Sequence, residues 1–339
     1  MNTRMWLAAG GFGLLVGVAA WVSRPQPAKT PAPTAWKTAN PVLSAGAYPL
    51  SPGTAARFHT APIKLPAGQL SAADWYLPLS PSVSVAYELH DILARWQVQG
   101  VAQTLAGAPA NPALGLSFAP SGRMLAWPAG TGMAVASWPH GAKTLPHAAA
   151  VGFTGHNQLV VASQAGGEII LTRPGTSTPP LRVTGQPAQS RPFAAHASLL
   201  AIQSGSDLGW VNTVSGHPAT AVKVDGARWP DLIAARRAGN ASAWLLERPS
   251  PLPAYLLIVT TPGRKPAWYR WRAAEGPQLA VAEGRIVFSQ SLSSGIWWAV
   301  GVRHLHPMAL GAGLVSDGPY GLIWRASQGF SRLTGGLSW

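Results

Sequence analysis

From about residue 48 onward, apolar residues come in short runs of four to seven, each broken by Gly, Pro, Ser or Asn. Ser82–Tyr87, Leu199–Gln203, Tyr255–Thr260, Arg285–Ser289 and Ile296–Val300 are such runs. No stretch of a dozen residues in this region carries the 3.6-residue spacing of an amphipathic helix, so the pattern predicts many short strands. The N-terminus reads differently. Met5–Val22 is an uncharged, mostly apolar run of 18 residues between Arg4 and Arg24. At ~1.5 Å per residue it is just long enough to cross a bilayer. It predicts one N-terminal hydrophobic helix, a single-pass anchor in the cell membrane with its N-terminus inside the cell and the rest of the chain outside; a signal peptide cut after Ala20, and hence secretion, is the alternative. Ala9, Gly13 and Gly17 form a small-residue stripe on which two such helices can pack as a dimer. Residues 24–47 are Pro-rich and predict an extended spacer. The chain therefore divides into an anchor or signal peptide (1–23), a Pro-rich linker (24–47) and a folded domain (48–339).

The folded domain repeats itself. Shifted by 35 residues without gaps, Phe118 meets Phe153, Gly122 meets Asn157, Met124 meets Leu159, Gly132 meets Gly167 and Pro139 meets Pro174. Each position has a mechanical role. Phe closes a strand, Gly or Asn takes the positive-φ position of a tight turn, an apolar run forms the next strand, and Gly and Pro mark later turns. Looser copies begin near residues 74, 191, 231, 277 and 314, giving about seven units. Units of ~35–46 residues indicate a propeller or solenoid, in which no unit can bury its own sheet and its neighbours do so. Trp127, Trp210, Trp244 and Trp324 lie inside apolar runs and are expected to fill the space between sheets.

The segment FAPSGRMLAW (118–127) and the later SDGPYGLIW (316–324) resemble the F-S-P-D-G-K-x-L-A-F signature of TolB-like propeller repeats, relatives of WD repeats. Ser121 stands where that signature has Asp. The resemblance covers roughly residues 74–335. It implies an all-β fold, a β-propeller of about seven four-stranded blades around a central channel. By analogy with the way such rings close, residues 48–72 are expected to add a strand to the last blade near Leu333–Trp339.

Composition narrows the chemistry. There are 37 Gly and 32 Pro, which suit a turn-rich fold, and no Cys, which excludes disulfides, zinc ribbons, thiol catalysis and iron–sulfur clusters. G-x-S-x-G, G-x-x-x-x-G-K-[ST] and H-E-x-x-H are absent. Asp74, Asp231 and Asp317 lie near the starts of repeat units. Converging in the channel they would supply the acid and base of a glycosidase; at turns they would instead bond their own backbone. His304 and His306 alternate on one strand face, but two histidines without a third ligand predict no metal, and no cofactor is expected.

The formal net charge is +14. Such a surface attracts polyanions. The densest basic stretch holds Arg264, Lys265, Trp268, Arg270 and Arg272. In a strand, Trp268, Arg270 and Arg272 share one face and Tyr269 and Trp271 the other. Guanidinium groups beside an indole suit phosphate or sugar contact; equally, the Arg stems would shield an aromatic core. A carboxylate-poor surface also suits an acidic medium. Charge gathered on one rim argues for a partner, and charge spread evenly argues for the medium. The expectation is a membrane-tethered, extracytoplasmic, non-enzymatic binding or scaffold module for a protein or an anionic envelope polymer. Nucleic acid is not expected, since no binding module for it is recognisable. The alternative is a propeller hydrolase or lyase acting on cell-surface polysaccharide.

Overall fold

The computed structural model describes residues 57–105, 107, 116–165, 168–184, 186–187, 199–204, 206–215, 218–273, 276–289, 296–301, 305–310 and 314–338. The hydrophobic segment 5–22, its Ala9, Gly13 and Gly17, and the spacer 24–47 lie outside these residues. Among the described residues no helix is long and apolar enough to cross a membrane.

The strands form seven antiparallel four-stranded sheets, each a meander in chain order apart from the last. The first, inner strands of blades 1 to 7 are Trp75–Ser80, Ser117–Phe118, Ala148–Phe153, Gln186–Pro187, Asp231–Ala238, Gln278–Ala282 and Val315–Gly318. The repeat units seen in the sequence are these blades. Blade 4 begins a few residues earlier than its copy suggested, because its inner strand is Gln186–Pro187.

The turns show why the repeat reads as it does. Gly122 and Asn157 both hold positive φ, +68° and +61°, in the turn between the first and second strands of blades 2 and 3. Gly132 is required for a different reason. A Cβ there would lie 2.3 Å from the Leu145 carbonyl oxygen, inside backbone that cannot move aside.

The core is divided among the gaps between blades. Among the described residues seven apolar clusters are present, and each joins one blade to the next. Trp127, Trp210 and Trp244 are fully buried, and Trp324 is nearly so. Truncating a side chain of this kind typically costs about 3–5 kcal/mol, so tryptophan wedges account for much of the inter-blade cohesion.

The ring closes as expected from the sequence. Arg57–Ile63 is the outer strand of blade 7 and pairs with Gly329–Ser338, Thr60 opposite Leu333 and Ile63 opposite Phe330. Phe58 meets Trp324 edge-on at 6.4 Å. The inner strands of blades 6, 7 and 1 are also joined to one another. Gln278 Oε1 accepts from Val315 N at 3.3 Å, Trp75 Nε1 donates to Val315 O at 3.2 Å, and Ser316 Oγ donates to Tyr76 O at 2.6 Å.

Four is an even number, so each of blades 1 to 6 returns the chain to the end of the ring at which it began. The start of each inner strand and the turn between second and third strands thus share one face, the near face. The turns after the first and third strands share the opposite, far face.

Candidate functional site

The two faces differ in charge. Asp74, Glu88, Asp91, Glu168, Asp207, Asp225, Asp231 and Glu247 all sit at near-face strand ends or turns. Among the described residues the far face has two carboxylates, Glu283 and Asp317, and both are engaged. Glu283 Oε2 accepts from Leu337 N at 3.0 Å in blade 7. Asp317 Oδ2 receives Arg236 Nε at 2.8 Å, an ion pair that links blades 5 and 7 past the inner strand of blade 6. Burial pushes the Asp317 carboxyl above its usual range, and Arg236 acts against that rise. The far face carries Arg123, Arg173, Arg237, Arg264, Lys265 and Arg285 besides. On the near face two ion pairs join cations to acids: Arg325 pairs with Asp74, and Arg182 Nη1 lies 2.9 Å from Glu168 Oε2.

The basic stretch read from the sequence divides in two. Arg264 and Lys265 occupy the turn after the third strand of blade 5, on the far face, where both are exposed. Arg270 and Arg272 are exposed on the outer strand Ala267–Arg272, which runs back to the near face. At ~3.3 Å per residue, Arg272 stands about 23 Å from Lys265. Trp268 is not beside the guanidinium groups on the surface. It is 8% exposed and packs with Trp244 and Leu256 between blades 4 and 5. Tyr269 and Trp271 are buried on the other side, between blades 5 and 6. Alternation along a strand separates its two faces, but in a propeller both faces are covered by neighbouring blades.

Arg264 and Lys265 instead line a cleft of about 340 Å³ between blades 5 and 6, whose wall also includes Asn240, Thr261, Arg285, Ile286 and Val300. Arg285 was not singled out from the sequence. It lies in another repeat unit and reaches the cleft only because blade 6 follows blade 5 round the ring.

The three aspartates proposed for acid–base chemistry do not share one end of the channel. Asp74 is at the near face, where its Oδ2 accepts from Leu89 N at 2.9 Å while Arg325 holds its other oxygen. Asp317 is at the far-face end of its strand. Asp231 is opposite Glu247 in the neighbouring strand. Burial, and then the charge of Asp231, raise the Glu247 pKa. This pair went unread in the sequence. Its signal is the near-symmetric placement of the two residues about the Gly239–Asn240 turn, offset by a bulge at Ile233. Among the described residues, no three His, Asp or Glu gather in a metal-binding arrangement. His304 lies outside them, and His306, in the outer strand of blade 6, is half-buried and has a partner.

No protein-family model and no curated protein matches the chain. Among solved structures it is similar to a streptogramin B lyase, at 10% identity over 82% of this chain and 97% of that one, with a TM-score of 0.48. It is likewise similar to a catalytically inactive virginiamycin B lyase from Staphylococcus aureus with quinupristin, at 10% identity over 82% and 100%, TM-score 0.46. A third likeness is to the WD40 propeller domain of Doa1, at 9% identity over 82% and 96%, TM-score 0.40. These likenesses extend to the β-propeller fold and no further.

Proposed function

We propose that this chain is a non-enzymatic binding module. Its Met5–Val22 segment anchors it in the membrane, residues 24–47 space it outward, and its propeller presents the far face to an anionic polymer of the cell envelope. The observation that carries this reading is the one-sided distribution of carboxylates. An acidic habitat would favour few acids everywhere, whereas here the described acids crowd one face and leave the other cationic. Unopposed charge on a single surface raises the local concentration of a polyanion and orients its approach.

The test compares two triple variants of the full chain that remove the same charge. One carries Arg123→Ser, Arg264→Ser and Lys265→Ser on the far face. The other carries Arg228→Ser, Arg248→Ser and Arg272→Ser on the near face. Retention on an immobilised anionic polysaccharide is measured across a salt gradient. The far-face variant is expected to weaken by ~tenfold or more, about 1.4 kcal/mol, and to elute at lower salt. The near-face variant is expected to behave almost as wild type. Equal losses would mean that net charge alone is sensed, and the reading fails.

A further inference from the structure

The cleft between blades 5 and 6 differs from the rest of the far face in being concave. Its rim is made by the blade 5 turns at 239–240 and 261–265 and by the start of the second strand of blade 6. Arg264 and Lys265 line it together with Arg285, which has a partner of its own, and no carboxylate is among its described lining residues. Arg237 brings a further cation to the lip, with its Nε donating to Gly239 O at 3.1 Å. The nearest acid by sequence, Glu283, is turned away and held by the Leu337 amide. Like charges gathered in a concave site repel one another until an anion enters, and low-dielectric walls focus their field on the opening.

The other wall residues say what the anion is attached to. Ile286 and Val300 are buried apolar side chains, and Asn240 and Thr261 offer an amide and a hydroxyl. At about 340 Å³ the cleft is at the lower end of the range for small-molecule sites, which suits one sugar-sized unit. A single carboxylate offers one charge to Arg264 and Lys265 together, whereas a phosphate monoester carries nearly two negative charges and three acceptor oxygens.

We infer that this cleft is a subsite for one phosphorylated sugar unit, with Arg264 and Lys265 on the phosphate and Asn240 and Thr261 on the hydroxyls. The inference rests on the far-face reading above and names the unit of the polymer that is gripped individually.

The test titrates the full chain with glucose 1-phosphate, inorganic phosphate and glucose, followed by thermal shift and by ³¹P line broadening. Glucose 1-phosphate is expected to bind saturably and raise Tm, glucose to do nothing, and inorganic phosphate to bind at least ~tenfold more weakly. Arg264→Ser with Lys265→Ser is expected to abolish the response, Lys265→Arg to keep most of it, and Arg248→Ser, on the near face, to leave it unchanged. Three results overturn the proposal: no response, a response that survives the double variant, or inorganic phosphate binding as tightly as the ester. Polymer retention, measured in parallel, separates the two readings. If it persists while glucose 1-phosphate fails, only the cleft is misassigned. If both fail, the far-face reading falls as well.

Discussion

Asn157 shows how much one residue of the repeat carries. It replaces the glycine that blade 2 has at position 122, and it tolerates the same left-handed backbone because a short amide side chain is among the few that do so at modest cost. It also does what glycine cannot. Its Oδ1 accepts from Ser121 N at 2.7 Å, tying the far-face turn of blade 3 to that of blade 2. Asn157→Ala would keep the left-handed backbone without the amide that makes it tolerable, and would remove that acceptor. At about 1 kcal/mol for each loss, the variant is expected to lose ~2 kcal/mol in urea unfolding. Asn157→Gly relieves the backbone cost and should lose about half as much. Equal losses for the two would show that strain is not involved. The turn role was legible from the 35-residue shift. The bond to the next blade was not, because a repeat comparison aligns equivalent positions and is silent on which of them touch.

At the level of strands, the sequence located most elements well, because runs such as Ile296–Val300 are bounded by glycines, here Gly295 and Gly301. It could not say which strand faces were exposed, and for that reason it left open whether Trp268 lies on a surface beside Arg270 and Arg272 or in an aromatic core beneath them. Nor could it pair Arg236 with Asp317, which are on strands of different blades. That pair makes a pH-dependent prediction. Burial raises the Asp317 pKa above its ordinary 3.8 despite Arg236. A carboxyl raised in the folded state leaves that state holding more protons than the unfolded chain. The stability it contributes is therefore complete below the unfolded pKa and is lost as pH rises through the folded one. Asp317→Asn removes this titration. The stability of wild type relative to Asp317→Asn, followed by urea unfolding from about pH 3.5 upward, is expected to fall as pH rises above ~3.9. A difference that grows with pH would mean that Arg236 outweighs burial and that the folded-state pKa is depressed.

The ring as a whole depends on two features that lie far apart in sequence. The first is the even strand count, which gathers carboxylates scattered from Asp74 to Glu247 onto one face and leaves the other to cations; the charge total was legible and its distribution was not. The second is closure. The outer strand of blade 7 comes from residues 57–63, while its partner ends at Ser338. Without it, Gly329–Ser338 would be an unpaired edge and Phe58 would no longer cover Trp324. Deleting 57–63 is therefore expected to lower Tm by about 10 °C or more and to promote aggregation. The geometry also supplies the rescue. Arg57 lies opposite Ser338, so the two strand ends meet at the far face, and a two-residue Asn-Gly turn can join them directly. A chain in which residues 57–63 follow Ser338 through that turn, with residue 56 joined to 64, makes the closing pairing local. It is expected to melt within a few degrees of wild type and to refold faster, since loop closure no longer spans the whole propeller. If relocation fails to restore the melting temperature lost on deletion, then residues 57–63 act through something other than completing the seventh sheet, and the account of how this ring is held shut is wrong.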